Sequence, residues 1–203
     1  MGGRFISFEG IDGSGKSTQA RRLAATLRGR GAEVVETREP GGSPGAEAIR
    51  SLLVEGDPGR WSPESEILLF TAARRDHLER TINPALARGA TVVTDRFADS
   101  TRVYQGAARA ALRATVDALH ALTIAKDPDL TLILDLPPDT ALARGLARGG
   151  AEDRFERLGA PFQARLRAGF LALAAEFPAR CRLVSAAGAP DEVAARILAE
   201  VDR

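Results

Sequence analysis

The sequence predicts an α/β fold, a mainly parallel sheet of five strands flanked by helices. Three observations carry this. Five short apolar, β-branched runs recur along the chain, helical patterns long enough for crossovers separate them, and a glycine-rich turn joins the first run to the first helix. The 203 residues suit one domain, 1–203, and a hydrophobic content of 44 % supplies its core.

The runs are Phe5–Glu9, Glu33–Thr37, Thr91–Asp95, Leu130–Leu136 and Cys181–Ser185. Each reads as near-continuously apolar rather than alternating, which is how strands covered on both faces look. After the glycine turn, Ala20, Leu23, Ala24 and Leu27 share one helical face, and Gly29 and Gly31 mark its stop. Ser62-Pro63 reads as the cap and first turn of a long helix carrying Ile67, Phe70, Thr71 and Arg74. Val193, Ile197, Leu198 and Val201 form a last apolar stripe after Pro190. Two stretches with paired glycines, Pro40–Pro44 and Arg148–Asp153, read as mobile loops.

Composition narrows the functional classes. The 28 basic and 27 acidic side chains leave a formal charge of +1, so no wholesale attraction to nucleic acid or to an anionic membrane is expected. Any phosphate binding must come from a focused site. Only Lys16 and Lys126 among the basic residues are lysines. A lysine inside a glycine loop of so arginine-rich a chain points to a need for a compact ammonium. The single cysteine, Cys181, lies in an apolar run and reads as a buried small hydrophobe. The first residues do not read as a secretory leader and no run reaches membrane-spanning length, so a cytoplasmic location is expected. His77 and His120 read as solvated or packing residues, and Trp61 as a packing anchor.

Gly10-Ile11-Asp12-Gly13-Ser14-Gly15-Lys16-Ser17-Thr18 satisfies G-x-x-x-x-G-K-[ST] between a strand and a helix. Glycines let the backbone N–H groups wrap a phosphate, and the helix N-terminus adds a favourable dipole. Lys16 is expected to reach the β- and γ-phosphates of ATP, and Ser17 to offer its hydroxyl to Mg²⁺. The loop alone does not choose between a switch, a motor and a kinase. No N-K-x-D guanine reader follows, since Ala125-Lys126-Asp127-Pro128 sets its acid beside the lysine. No Asp-Glu pair ends a strand either. The third run ends in Asp95-Arg96 instead, which suits metal contact from one side chain and anion contact from the next.

Weaker signals point to a second phosphorylated molecule. Phe70 and Arg74 lie four apart on one helix face, where a ring and a guanidinium can address a base. Arg38-Glu39-Pro40-Gly41-Gly42 follows the second strand at the edge where ligands bind in open α/β sheets. Tyr104-Gln105-Gly106 follows Asp95-Arg96 closely.

Taken together, "FEGIDGSGKST", "TREPGG", "EAIRSLL", "LLFTAARRDHL", "TDRFADSTRVYQG", "DPDLTLILDLPPDTAL" and "EDRFE" make the chain resemble the thymidylate kinases, specifically the bacterial form, over nearly its whole length. The "DRF…S…YQG" block discriminates best, because adenylate, shikimate and deoxynucleoside kinases share the loop without it. The resemblance implies a P-loop nucleoside monophosphate kinase fold with a mobile lid at about 144–156. It also implies Mg²⁺-dependent transfer from ATP to dTMP, and a homodimer formed through helix faces. Another nucleoside monophosphate kinase, or a nucleotide-binding regulator without catalysis, is the alternative.

The same resemblance implies roles by position. Glu39, Pro40 and Arg50 would border the monophosphate, with Arg50 near its sugar-phosphate end. Phe70 would stack on thymine, and Arg74 would address its O4 edge. Thr101 and Gln105 would read the base, and Tyr104 would crowd the 2′ position. Arg96 would grip the 5′-phosphate and, as a catalytic residue with Lys16, the transferring phosphoryl. Asp12 would approach the 3′-hydroxyl or a metal-bound water, and Asp95 with Ser17 would serve the metal. One branch of the family carries an arginine where Gly13 stands; in the bacterial branch the arginine comes from the lid, so Arg148 and Arg154 are expected to be catalytic. Arg144 is expected on a solvated helix face. An arginine restored at position 13 is expected to compensate in part for loss of the lid arginines.

Overall fold

The computed structural model describes residues 3–55, 59–107, 112–148 and 159–203. Five parallel strands, β1 (Phe5–Glu9), β2 (Val34–Arg38), β3 (Thr91–Asp95), β4 (Leu130–Asp135) and β5 (Cys181–Ser185), pair in the order β2-β3-β1-β4-β5. Three of the predicted runs coincide with strands. β2 begins one residue later than predicted, and β4 stops one residue earlier. The expectation of strands covered on both faces holds in the centre, where β1 is buried throughout. It fails at the edges: β2 has no fully buried residue and β5 only Cys181 and Val184, because an edge strand lacks the shielding of a second neighbour.

Helices α1 (Lys16–Gly29), α2 (Pro44–Val54), α3 (Pro63–His77), α4 (Asn83–Ala87), α5 (Ala98–Thr101), α6 (Arg113–Leu119), α7 (Pro138–Arg148), α8 (Gly159–Glu176) and α9 (Pro190–Val201) make the connections. One apolar cluster joins Ile6, Phe8, Leu132 and Leu134 to Leu23 of α1, Phe170 of α8 and Ile197 of α9. A second joins Phe5, Val92 and Phe97 to Leu78, Ile82 and Ala85. Phe5 and Phe97 meet edge to face at 4.9 Å, so the first strand is keyed directly to the segment after β3.

Local chemistry explains the ends of the elements. α1 starts from Gly15 at φ 93°, a left-handed backbone that glycine adopts without strain. α3 starts at Ser62, whose hydroxyl accepts from Ser65 N–H, with Pro63 in the first turn. Beyond His77 the helix loosens into a π segment, Leu78–Ile82. A second π segment, Arg102–Ala107, extends α5. Such segments often occur at functional sites, because they displace side chains from the regular helical spacing. No helix among the described residues is long and apolar enough to cross a membrane.

Register brings the functional positions to one edge. Phe8 lies opposite Asp95 and Arg38 opposite the same Asp95, so β1, β2 and β3 deliver their carboxyl ends together. The glycine loop rises from the central strand at that edge, where ligands bind in open α/β sheets.

Candidate active site

The glycine loop separates two clefts. Asp12 lines the first, with Glu39, Pro40, Arg50, Phe70, Arg74, Arg96, Thr101, Tyr104 and Gln105. The next residue, Gly13, lines the second, with Ser14, Gly15, Thr18 and Arg144. The residues expected to border a monophosphate thus share one cavity, although they come from five separate stretches of chain. Leu53, Val54, Phe97 and Ser100 line it as well, and sequence reasoning did not single them out.

At the loop, Lys16 Nζ donates to Ile11 O at 2.8 Å and stands 3.9 Å from Asp12 Oδ1. Burial and the nearby Arg96 cation push the Lys16 ammonium down to about 8, against the pull of Asp12, Asp95 and Glu9. Arg96 Nη2 pairs with Asp12 Oδ1 and also donates to Tyr104 OH at 3.2 Å, and Tyr104 OH donates to Asp12 Oδ2 at 2.9 Å. The Arg96 guanidinium lies 5.0 Å from the Tyr104 ring centre. Burial would raise the Asp12 carboxyl, but Arg96 and Lys16 hold it below the ordinary carboxylate range. A lysine and an arginine thus both turn toward the loop that separates the clefts.

Asp95 and Ser17 fit a metal. Ser17 Oγ donates to Asp95 Oδ2 at 2.5 Å, while Asp95 Oδ1 is buried without a hydrogen-bond partner. A buried carboxylate oxygen left without a donor is costly unless something else meets it. A hydroxyl beside that oxygen makes an all-oxygen donor set of the kind Mg²⁺ prefers.

The first cleft has a floor of buried polar contacts. Arg74 Nε donates to Glu39 Oε2 at 2.7 Å and Nη2 to Thr101 Oγ1 at 3.1 Å, and the guanidinium lies 5.2 Å from the Phe97 ring centre. Behind Glu39, His77 Nδ1 meets Oε1 at 3.0 Å and His77 Nε2 meets Thr37 Oγ1 at 2.7 Å. His77 is fully buried in this row, which settles its reading on packing and sets it behind the cleft rather than in its lining. Arg50 Nη1 donates to Pro40 O at 2.6 Å.

The stretch from Pro40 to Pro44, expected to be a mobile loop, is tied down along its length. The Glu39-Pro40 bond is cis, Gly42 N–H donates to Glu47 Oε1 at 2.8 Å, and Thr81 Oγ1 donates to Gly42 O at 2.7 Å. Pro44 already belongs to α2. A Cβ at Gly42 would sit 2.3 Å from Thr37 Oγ1 and 2.4 Å from His77 Nε2, so only glycine leaves room for the row behind Glu39.

Beyond the loop, α7 carries Arg144, exposed at the second cleft and donating to Ala186 O at 3.2 Å. Sequence reasoning had left it on a solvated face; its approach to the loop after β5 is invisible without the fold. Arg148 is the last residue of α7. Its side chain, Arg154 and the positions 149–156 of the expected lid lie outside the described residues. The space at Gly13 weighs against one expectation, the partial rescue by an arginine placed there. Its φ is +80°, and a Cβ there would lie 2.0 Å from the Ala141 carbonyl oxygen of α7. A side chain at position 13 would therefore strain the loop and crowd the backbone of α7.

Comparison with known proteins decides the family. Residues 8–197 match the family described as thymidylate kinase. The chain belongs to the thymidylate kinase family. It is 67 % identical over 199 residues to the thymidylate kinase of Dinoroseobacter shibae, covering 98 % of this chain and 96 % of that one. It is 70 % identical over 190 residues to the thymidylate kinase of a Jannaschia species, covering 94 % and 91 %. The crystal structure of thymidylate kinase from Ehrlichia chaffeensis superposes over 100 % of both chains with a TM-score of 0.81 at 34 % identity. The fold is accordingly that of P-loop nucleoside monophosphate kinases, and the chain is an enzyme of ATP-dependent dTMP phosphorylation.

Proposed function

We propose that the chain forms dTDP and ADP by holding ATP in the cleft lined by Gly13, Gly15, Thr18 and Arg144 and dTMP in the cleft lined by Phe70, Arg74 and Arg96. The observation that carries this reading is the opposite facing of consecutive residues, Asp12 to one cleft and Gly13 to the other. Two nucleotides so seated meet phosphate to phosphate across the loop.

In the transfer, an oxygen of the dTMP 5′-phosphate attacks the γ-phosphorus, and the bond to the β–γ bridging oxygen breaks. The acceptor oxygen is already anionic, so no general base is needed, and the protein's work is positioning and charge neutralisation. Lys16 meets the donor phosphates and Arg96 the acceptor phosphate. Phe70 stacks on thymine, Arg74 addresses O4, and Thr101 and Gln105 read the remaining edge. Arg50, Glu39 and Pro40 border the nucleotide, and Tyr104 crowds the 2′ position. Asp12 approaches the 3′-hydroxyl, and Arg148 and Arg154 supply lid charge. Ser17 and Asp95 would hold Mg²⁺, which when bound offsets the negative charge of the donor phosphates.

Residues 1–203 are read as a single kinase domain with its lid at 144–156. A homodimer through helix faces is the arrangement the family resemblance implies, which sedimentation of the purified chain tests. A cytoplasmic location suits the unpaired, buried Cys181. The deciding assay is ADP release from ATP with dTMP, dUMP, dCMP and dGMP offered in turn. Release that depends on dTMP supports the reading. Release indifferent to dTMP, or favouring another monophosphate, removes it.

A further inference from the structure

Arg96 has a left-handed backbone, φ 71°, shared among the described non-glycine residues only with Ala125. A residue with a Cβ stays in that region only where its surroundings hold it. Its N–H donates to Phe8 O at 2.9 Å, and its carbonyl accepts from Thr94 Oγ1 at 2.9 Å. The next N–H, from Phe97, donates to Glu9 Oε1 at 2.8 Å. The other oxygen of the same carboxyl, Oε2, accepts from Ser100 Oγ at 2.6 Å, and Ser100 Oγ accepts from Arg96 Nη1 at 2.9 Å. Glu9 is fully buried at the end of β1 and lines neither cleft.

We propose that Glu9 is a positioning residue for phosphoryl transfer: one carboxyl group fixes the turn that follows Arg96 and, through Ser100, the plane of its guanidinium. This rests on the reading of Arg96 as the grip on the acceptor phosphate. A side chain that merely satisfied a buried N–H would support the fold without favouring either substrate. The arrangement here is more particular, because both ends of Arg96 are referred to the same group. Loss of Glu9 should therefore be felt by the acceptor before the donor.

The test is steady-state kinetics on the full chain for Glu9→Ala, Glu9→Gln, Ser100→Ala and Arg96→Ala, with a thermal melt of each. Glu9→Ala is expected to lower kcat/KM for dTMP by about 10²-fold, as for a displaced charge-stabilising donor, with KM for ATP changed less than about threefold. Ser100→Ala is expected to lose about tenfold in the same term, the scale of one hydrogen bond to a charged group. Glu9→Gln, whose amide oxygen keeps the Phe97 contact, is expected to recover most of the loss. A folded Glu9→Ala with native kcat/KM for dTMP, or losses equal for both substrates, overturns the proposal. Should Glu9→Ala not fold, Ser100→Ala decides: a selective dTMP loss supports the proposal and native kinetics sink it. Native turnover by Arg96→Ala removes the phosphate-grip reading and this inference with it. A dead Arg96→Ala beside native Glu9 and Ser100 variants removes the inference alone.

Discussion

Arg74 and Glu39 meet at 2.7 Å across 35 positions of sequence, both side chains about 95 % shielded from water. The pair ties α3 to the residue that follows β2, and places a guanidinium under the cleft with its carboxylate partner backed by His77. Removing one member of such a buried pair strips the other of its ionic partner, which typically costs about 3–5 kcal/mol.

Arg74→Ala should therefore lower the melting temperature and raise KM for dTMP at least about tenfold, the effect of one lost hydrogen bond to a charged partner. KM for ATP should hold, since Arg74 lines only the first cleft. Equal increases for both nucleotides would take Arg74 out of the base pocket.

Lys16→Ala should keep the fold and lose about 10²–10³ in kcat, the range for removing one pre-positioned charge-stabilising donor. Circular dichroism checks the first half and coupled ADP release the second. Turnover near that of the unmodified chain would refute the role given to the loop.

The lowered pKa of Lys16 gives a pH signature. In the free enzyme its charge is lost as pH rises through about 8, so kcat/KM for ATP should fall there. Bound phosphates favour the ammonium, so kcat at saturation should persist to higher pH. The stability sign runs the other way. With a folded pKa below the ordinary 10.5, the charged lysine opposes folding fully below pH 8, and this opposition fades toward pH 10.5. Lys16→Met should accordingly melt above the unmodified chain at pH 7, with the gap narrowing by pH 10.

Gly13 and Gly31 offer a matched pair. Both have left-handed backbones, φ +80° and +87°, but a Cβ at 31 meets nothing within 4 Å. Gly31→Ala should show the cost of backbone strain alone, about 1 kcal/mol or somewhat more. Gly13→Ala should lose more stability and also kcat, because α7 must move. Gly13→Arg should not rescue the Arg148→Ala, Arg154→Ala double variant; recovered turnover there would show that the contact with Ala141 yields.

Most of the fold was legible because its signals are local. Apolar runs such as Phe5–Glu9 and the cap at Ser62-Pro63 need no knowledge of distant residues. The first cleft was legible only through resemblance, since nothing in the spacing of Glu39, Arg74 and Thr101 says that they touch. What stayed hidden is what long-range packing creates: the His77 row behind Glu39, the hold of Glu9 on Phe97 and Ser100, and the approach of Arg144 to Ala186. The crowding at Gly13 stayed hidden for the same reason, because the carbonyl that closes the space beside it lies on a helix more than a hundred residues downstream.

The seclusion of Cys181 has a practical use. It is the chain's only thiol, and burial followed by the Asp99 charge pushes it up to about 12, so at neutral pH it should ignore maleimide reagents. A fluorophore could then be attached through Leu122→Cys without first deleting the native cysteine, and energy transfer between two such labels would report whether one copy lies beside another.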